Sequence, residues 1–307
     1  GQGQADHLPG RAQRAEMTRL SQRTGPAPIL RRQSVLAVAA SAILWAVTTG
    51  FGAAQTINLA STNQDKPIEV FADNGIEWQQ DNVVLIARGN AQAVRAGVNI
   101  NAEVLRAFYK KKPEGGTDLS RLDAAVSVRI TSPSESITGE TAVYDLEKAI
   151  LVVSGKKVVY RSGPDVLTAN RQMEYYEIQQ KAVARGNATA VHDGKTVRAD
   201  TLEAYFRKTA QGKSQVYEIR AFNNVVILTD LETVLANKGI YNVISGIATL
   251  TGNVRITRGL NQLAGDRAEI NVNTGISKLL TDPGTLSVPG GTQRKRRVRG
   301  LILPTRP

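Results

Sequence analysis

The sequence contains no cysteine, only two histidines and two tryptophans, and aromatic residues make up 5% of its 307 positions. Without cysteine there are no disulfides, thiolate metal sites or cysteine nucleophiles to consider. The histidines are His7, near the start, and His192, directly before Asp193-Gly194, where it reads as a polar turn residue. Gly-x-Ser-x-Gly, His-Glu-x-x-His and phosphate-loop patterns are all missing. Carboxylates form no cluster at a repeated spacing, and they fall mostly on the side that the alternation described below marks as wet. These absences argue against an enzyme and imply no cofactor and no metal. A carbohydrate-active enzyme working through a pair of acids is the reading they weigh against most directly.

Long apolar runs are scarce as well. The longest, Val35 to Val47, falls short of the ~20 residues that a membrane-spanning helix needs. Arg19, Arg23, Arg31 and Arg32 precede it, and Gly52-Ala53-Ala54 follows. That is the pattern of a secretory signal cleaved after Ala54, with Met17 a candidate start and an uncleaved anchor the alternative. The expected organisation is a leader over 1–54, a lead-in over 55–66, one domain over 67–304 and a tail over 305–307.

Charge of one sign looks abundant at first, with a formal net charge of +12. Of the 39 Lys and Arg, however, six precede residue 55 and six follow residue 293, leaving 27 against 25 Asp and Glu between. The body is nearly neutral. The basic tail around Arg294 to Arg299 carries no aromatic residues, so no nucleic-acid partner is expected.

What the chain does have is a repeat. In Lys181 to Phe206, alternating residues run to Gly186-Asn187, resume to Val191, turn at Asp193-Gly194 and alternate again, with an irregular step near Asp200. This reads as strand, kink, strand, hairpin turn, strand and bulge. Similar landmarks recur at Ala72, Ala102, Gly139, Ala169, Ala199, Ala236 and Ala264, roughly 28 to 37 residues apart. Kinks are expected at Gly89-Asn90, Gly155-Lys156, Gly186-Asn187, Asn223-Asn224 and Gly252-Asn253. A continuous stack of rungs follows, since no rung can bury its apolar face alone.

Parity divides the faces. Ile68, Val70, Leu85, Ala87, Ile100, Leu151, Val153, Leu250, Val254 and Ile256 share the apolar side, to which Ile76 is assigned too. Glu69, Asn99, Asn101, Arg198, Asp200, Arg255 and Thr257 take the other. Antiparallel strands with one wet face must close the apolar face against something. Because many inward residues are alanine, the roll either leaves an apolar groove suited to an acyl chain or closes on a thin dry core. The end strands, with Ile68 and Val70 at one end and Val298, Leu301 and Leu303 at the other, are candidate edges for strand addition by another copy or a partner. Such head-to-tail contacts do not close on themselves.

Lys66 to Asp73, Val83 to Asn90 with its final Arg-Gly-Asn, and Val98 to Glu103 resemble the opening of the OstA-like proteins, the LptA class of lipopolysaccharide-transport proteins. Arg297 to Pro304 resembles that family's last strand. The resemblance implies an all-β, elongated, twisted β-jellyroll of stacked antiparallel rungs with open ends, located in the periplasm. It also implies that acyl chains of lipopolysaccharide are carried between inner- and outer-membrane components of like fold, with Ile68 and Val70 on the lipid-facing first strand. A larger section from Lys110 to Ser136, with Glu114-Gly115-Gly116 as a loop, departs from compact members. A membrane-anchored or outer-membrane-linked component of the same pathway, and an exported structural or adhesive β-repeat protein, are the alternatives.

Overall fold

The computed structural model describes residues 68–210, 214–271, 273–274, 276–281 and 297–302. They form eighteen strands, with no helix among them. The first six are β1 (Glu69–Phe71), β2 (Ile76–Gln79), β3 (Val84–Arg95), β4 (Val98–Lys111), β5 (Thr117–Thr131) and β6 (Glu135–Asp145). Four short ones follow: β7 (Ile150–Ser154), β8 (Val158–Ser162), β9 (Asp165–Ala169) and β10 (Gln172–Tyr176). Then come β11 (Lys181–His192), β12 (Lys195–Lys208), β13 (Ser214–Leu228), β14 (Thr233–Asn242), β15 (Ile247–Arg258), β16 (Asn261–Asn271), β17 (Ile276–Leu280) and β18 (Arg299–Leu301). All pairings are antiparallel, and the expected Asp193-Gly194 hairpin sets His192 against Lys195, with both turn residues at positive φ.

One hydrogen-bonded network holds all the strands, but their registers crease it into two leaves. β3, for example, pairs with β2 through its first half and with β1 through its second. The long strands cross the crease intact. β1/β2, β7/β8, β9/β10 and β17/β18 cross it at a break, so the eighteen strands amount to fourteen bent ones, ten continuous and four interrupted. This is the all-β stack of antiparallel rungs that the repeat implies, and the jellyroll that the family resemblance implies. Among the described residues, the first bent strand pairs only with β3 and the last only with β16, which leaves both ends of the stack open.

The crease has a local cause. At Gly89-Asn90, Val126-Ser127, Gly186-Asn187, Asn223-Asn224 and Gly252-Asn253, two consecutive residues adopt positive φ. The next strand sets one residue against the two, which is a bulge. Those single residues are Glu103, Glu140, Asp200, Asn237 and Asp266. Asn224 Nδ2 donates to both oxygens of Asp200 at 3.1 Å, and the Lys156 amide donates to Glu140 Oε1 at 3.2 Å. A Cβ on Gly186 would meet the Arg171 backbone nitrogen at 3.0 Å, so glycine is needed there for closeness as well as for φ.

Two expectations are corrected here. Gly155-Lys156 is a break between β7 and β8 without positive φ, and the fifth kink falls on Val126-Ser127, which has neither Gly nor Asn. Carboxylates do recur at a repeated position, because a bulge that leaves amides turned outward calls for an acceptor opposite them.

Cross-strand partners share a face, so the registers resolve the interior into rows. On the first leaf one row reads Leu85, Ala107, Leu122, Tyr144, Leu151, Tyr175, Ala182, Ala204, Ile219 and Tyr241. On the second leaf the row reads Ala93, Ile100, Ile130, Ile137, Tyr160, Leu167, Ala190, Val197, Ile227 and Val234. Within these two rows alanine is isolated among larger residues until β11 and β12. There Ala182 and Ala204 stand side by side, and Ala190 occupies the same strand on the other leaf.

Candidate functional site

That coincidence of small side chains opens the interior. A cavity of about 220 Å³ lies between the leaves, walled by Ile137, Leu151, Val153, Leu167, Met173, Tyr175, Ala182, Ala184, Ala190, Leu202, Ala204, Phe206 and Ile219. A smaller space of about 70 Å³, bounded by Val197, Ala221, Val225, Ile227, Tyr241 and Leu250, shares Ala190, Leu202 and Ile219 with it. The two therefore adjoin along the stack. Apolar cavities of roughly 150 Å³ already take up benzene and stay dry.

One end of the larger cavity is polar. On the second leaf, the inner face finishes at the turns in a row that runs from Glu135 through Ser162 and Asp165 to His192 and Lys195. Thr229, Glu232, Arg258 and Asn261 continue it. These residues lie two positions beyond Ile137, Tyr160, Leu167 and Ala190 on the same strands, hence on the same face. Glu135, Asp165 and Glu232 are buried. Tyr160 Oη donates to Glu135 Oε1 at 2.8 Å, and His192 Nδ1 is bonded to Asp165 Oδ1. Burial, helped by the charge and the hydrogen bond of Glu135, pushes the Tyr160 phenol far above its ordinary range. Burial likewise raises the Glu232 carboxyl, which Arg258 at 3.7 Å only partly offsets.

The same level of the first leaf is mainly apolar, with Tyr109, Leu119, Leu146 and Val243 packed against the core. Glu177, buried and accepting from Tyr144 Oη at 2.7 Å, is the exception. The opening between the leaves thus has one polar lip and one apolar lip.

The outer face over the cavity is knitted by charge. Glu174 accepts from Arg185 Nε and Gln172 Nε2 at 2.6 Å and from Tyr176 Oη at 2.7 Å. Burial alone would raise its carboxyl, yet the bonds from Arg185, Tyr176 and Gln172 hold it below the usual carboxylate range. Among the described residues no group of acids and histidines could hold a metal ion.

Of the candidate apolar residues, Leu151 and Val153 line the larger cavity and Leu250 the smaller. Ala87, Ile100, Val254 and Ile256 are buried in the core outside both, with Leu85 half-buried against it. Ile68 and Val70 pack half-buried at the first end, and Ile76, opposite Ala87 on the inner side, is exposed because among the described residues no strand lies beyond β2. Val298 and Leu301 are exposed at the other end. Leu303, His7, Val35 to Val47 and Ala54 lie outside the described residues.

Ala182, Ala190 and Ala204 were not singled out by parity, although two small residues in one row on adjacent strands would have marked them. Glu135, Asp165, Glu232 and His192 depart from the expected wet side. Alternation keeps its phase to the end of each strand, so the last inward position before a turn is inward even when it is charged.

Residues 168–276, which include most of the walls of both cavities, match the family described as LptA/(LptD N-terminal domain) LPS transport protein. The chain is 29% identical over 167 residues to an uncharacterised protein of Rhizobium meliloti (strain 1021), covering 51% of this chain and 89% of that one. Among solved structures it is similar to LptH, the LptA homologous periplasmic component of the conserved lipopolysaccharide transport device from Pseudomonas aeruginosa. That similarity has a TM-score of 0.20 and 11% identity over 80% of this chain and 100% of the other. On an all-β stack creased around an apolar interior, residues 168–276 thus resemble the LptA/LptD N-terminal family of lipopolysaccharide transport proteins.

Proposed function

We propose that the protein is a periplasmic carrier of lipopolysaccharide that shelters acyl chains between its leaves and joins inner- and outer-membrane components through its open edges. The observation that carries this reading is the pair of adjoining apolar cavities walled by both leaves. Each buried methylene contributes ~0.8 kcal/mol, so a run of eight would gain roughly 6 kcal/mol without any charged pocket. Neighbouring positions of similar depth favour sliding over tight fixation. Leu151, Val153 and Leu250 touch the chain in this reading, with Ile68, Val70 and Ile76 at its point of entry.

The edges supply the assembly. Phe71, Ile76 and Trp78 at one end and Ile276, Leu280 and Leu301 at the other are exposed apolar side chains beside unpaired strands. Such edges take up further strands readily, from another copy or from transport components of like fold.

The test is photo-crosslinking in cells, with a photoreactive residue at Leu167, in the cavity wall, or at Thr168, on the opposite face of the same strand. Lipopolysaccharide adducts at Leu167 and not at Thr168 are expected. Folded, exported protein with adducts at neither position would overturn the reading in favour of a dry structural stack.

A further inference from the structure

The two leaves divide their outward charge unequally. On the first leaf, outward cations stand beside acids: Arg88 with Glu77, Arg121 with Asp123, Arg185 with Glu174 and Arg220 with Glu218. On the second leaf the registers align two outward rows from β3 to β18, and neither row contains an acid. They hold Arg129, Arg161, Arg198, Arg255 and Arg299, all exposed, and among the described residues none of the five guanidiniums has an ion-pair partner. Successive arginines lie two or three strands apart, roughly 10–16 Å. The nearest acids serve the bulges or sit at the margin. Asp200 accepts from Asn224 and Glu140 from the Lys156 amide, while Asp193 and Asp230 occupy turns. Apolar side chains are exposed on the same leaf: Val191, Leu228 and Leu235 project from its outer face among the arginines. Leu231 and Leu260, 54% and 76% exposed, stand at the tips of the neighbouring hairpins β13–β14 and β15–β16.

We infer that the outer face of the second leaf, from β11 to β16, docks on a bilayer surface of anionic phospholipid. The inference goes beyond the carrier reading and does not depend on the cavities. Guanidinium is suited to phosphate, which it can bind through two parallel hydrogen bonds, and basic side chains near an anionic leaflet each add to its hold. The arginines alone would suit an acidic protein as well. The leucines decide between the two: protruding hairpin tips would meet charge or water on an acidic protein, whereas the boundary between headgroups and acyl chains accepts a cation and an apolar side chain together.

Because the chain has no cysteine, a single one introduced by Leu260→Cys or Ile244→Cys takes an environment-sensitive nitrobenzoxadiazole label. Both positions are exposed in turns, at opposite ends of β15. The full chain is mixed with vesicles of phosphatidylcholine, alone or with an equal part of phosphatidylglycerol. A blue shift is expected at position 260 and not at 244, and only with phosphatidylglycerol. Arg198→Gln combined with Arg255→Gln should weaken vesicle binding by about tenfold or more. Arg106→Gln with Lys278→Gln removes the same charge from the outer face of the first leaf and should leave binding nearly unchanged. Equal losses from the two pairs would show bulk attraction to a chain of formal net charge +12 and overturn the inference. A label at position 260 that ignores anionic vesicles would overturn it too, and one that shifts with soluble polyglutamate instead would assign the face to an acidic protein.

Discussion

Around β3 to β5 the leaves close on Leu105, Val128 and Ile130, each at most 2% exposed. Around β11 and β12 the space between them is held by Ala182, Ala190 and Ala204, and it stays open. Alanine content does not separate the two regions, because Ala87, Ala91, Ala93, Ala102 and Ala107 all sit in the packed one. What differs is placement. In the packed region Ala107, the alanine of the first-leaf row, has the large neighbours Leu85 and Leu122 across the strand, and Ala91 meets Ala102 only beside the bulge at Gly89-Asn90. In the open region Ala182 faces Ala204. Interiors pack densely wherever large and small residues interlock, so a cavity needs small residues in register.

Truncation gives the largest expected contrast. Leu105→Ala should cost about 2–5 kcal/mol in a denaturant titration, because it makes a new void in a filled core. Leu202→Ala borders space that already exists and should fall at or below the lower limit of that range. Equal losses would mean that the cavity is closed in solution.

Filling should act with opposite signs. Ala91→Leu forces a larger side chain into a fully buried position and should destabilise by about 1–3 kcal/mol. Ala182→Leu has room, so the melting temperature should hold or rise while binding of a neutral apolar probe is lost. A drop in melting temperature for Ala182→Leu comparable to that for Ala91→Leu would erase the distinction between the two regions.

Acid should sharpen the comparison by a smaller effect. The Glu174 carboxyl, on the outer face of the open region, lies below its ordinary range. Its contribution to stability is therefore complete above the unfolded value and is lost as pH falls through the folded one. Hydrogen exchange of β10 to β12 should accelerate at acidic pH before that of β3 to β5. Glu174→Gln should speed exchange there at neutral pH and flatten the dependence.

Much of this was legible in the sequence. The hairpin at Asp193-Gly194, the kinks at Gly-Asn and Asn-Asn pairs, the irregular step near Asp200 and the inward parity all follow from residue types whose backbone preferences are strong. Val126-Ser127 escaped because no such preference marks it. A β-branched residue at φ 68 is tolerated there with its side chain 57% exposed, clear of the core. The cavity escaped for another reason: which alanines meet depends on register between strands and on the facing leaf, neither of which a single strand records. The buried acids at the turns needed the same cross-strand information.

The crease also sets a counting rule for how such a chain can grow. Its paired left-handed residues fall on alternate strands, from β3 and β5 through β11, β13 and β15, while the strands between them pass with a single acid or amide. The heritable unit is therefore a hairpin and not a strand. Duplicating or deleting two strands together preserves the order of kinked and straight partners and the direction of both ends. Adding one alone would set kink against kink and reverse the terminal strand. Lengthening by whole hairpins, each free to choose its own inward residues, would allow a filled segment and a hollow one to arise within the same stack.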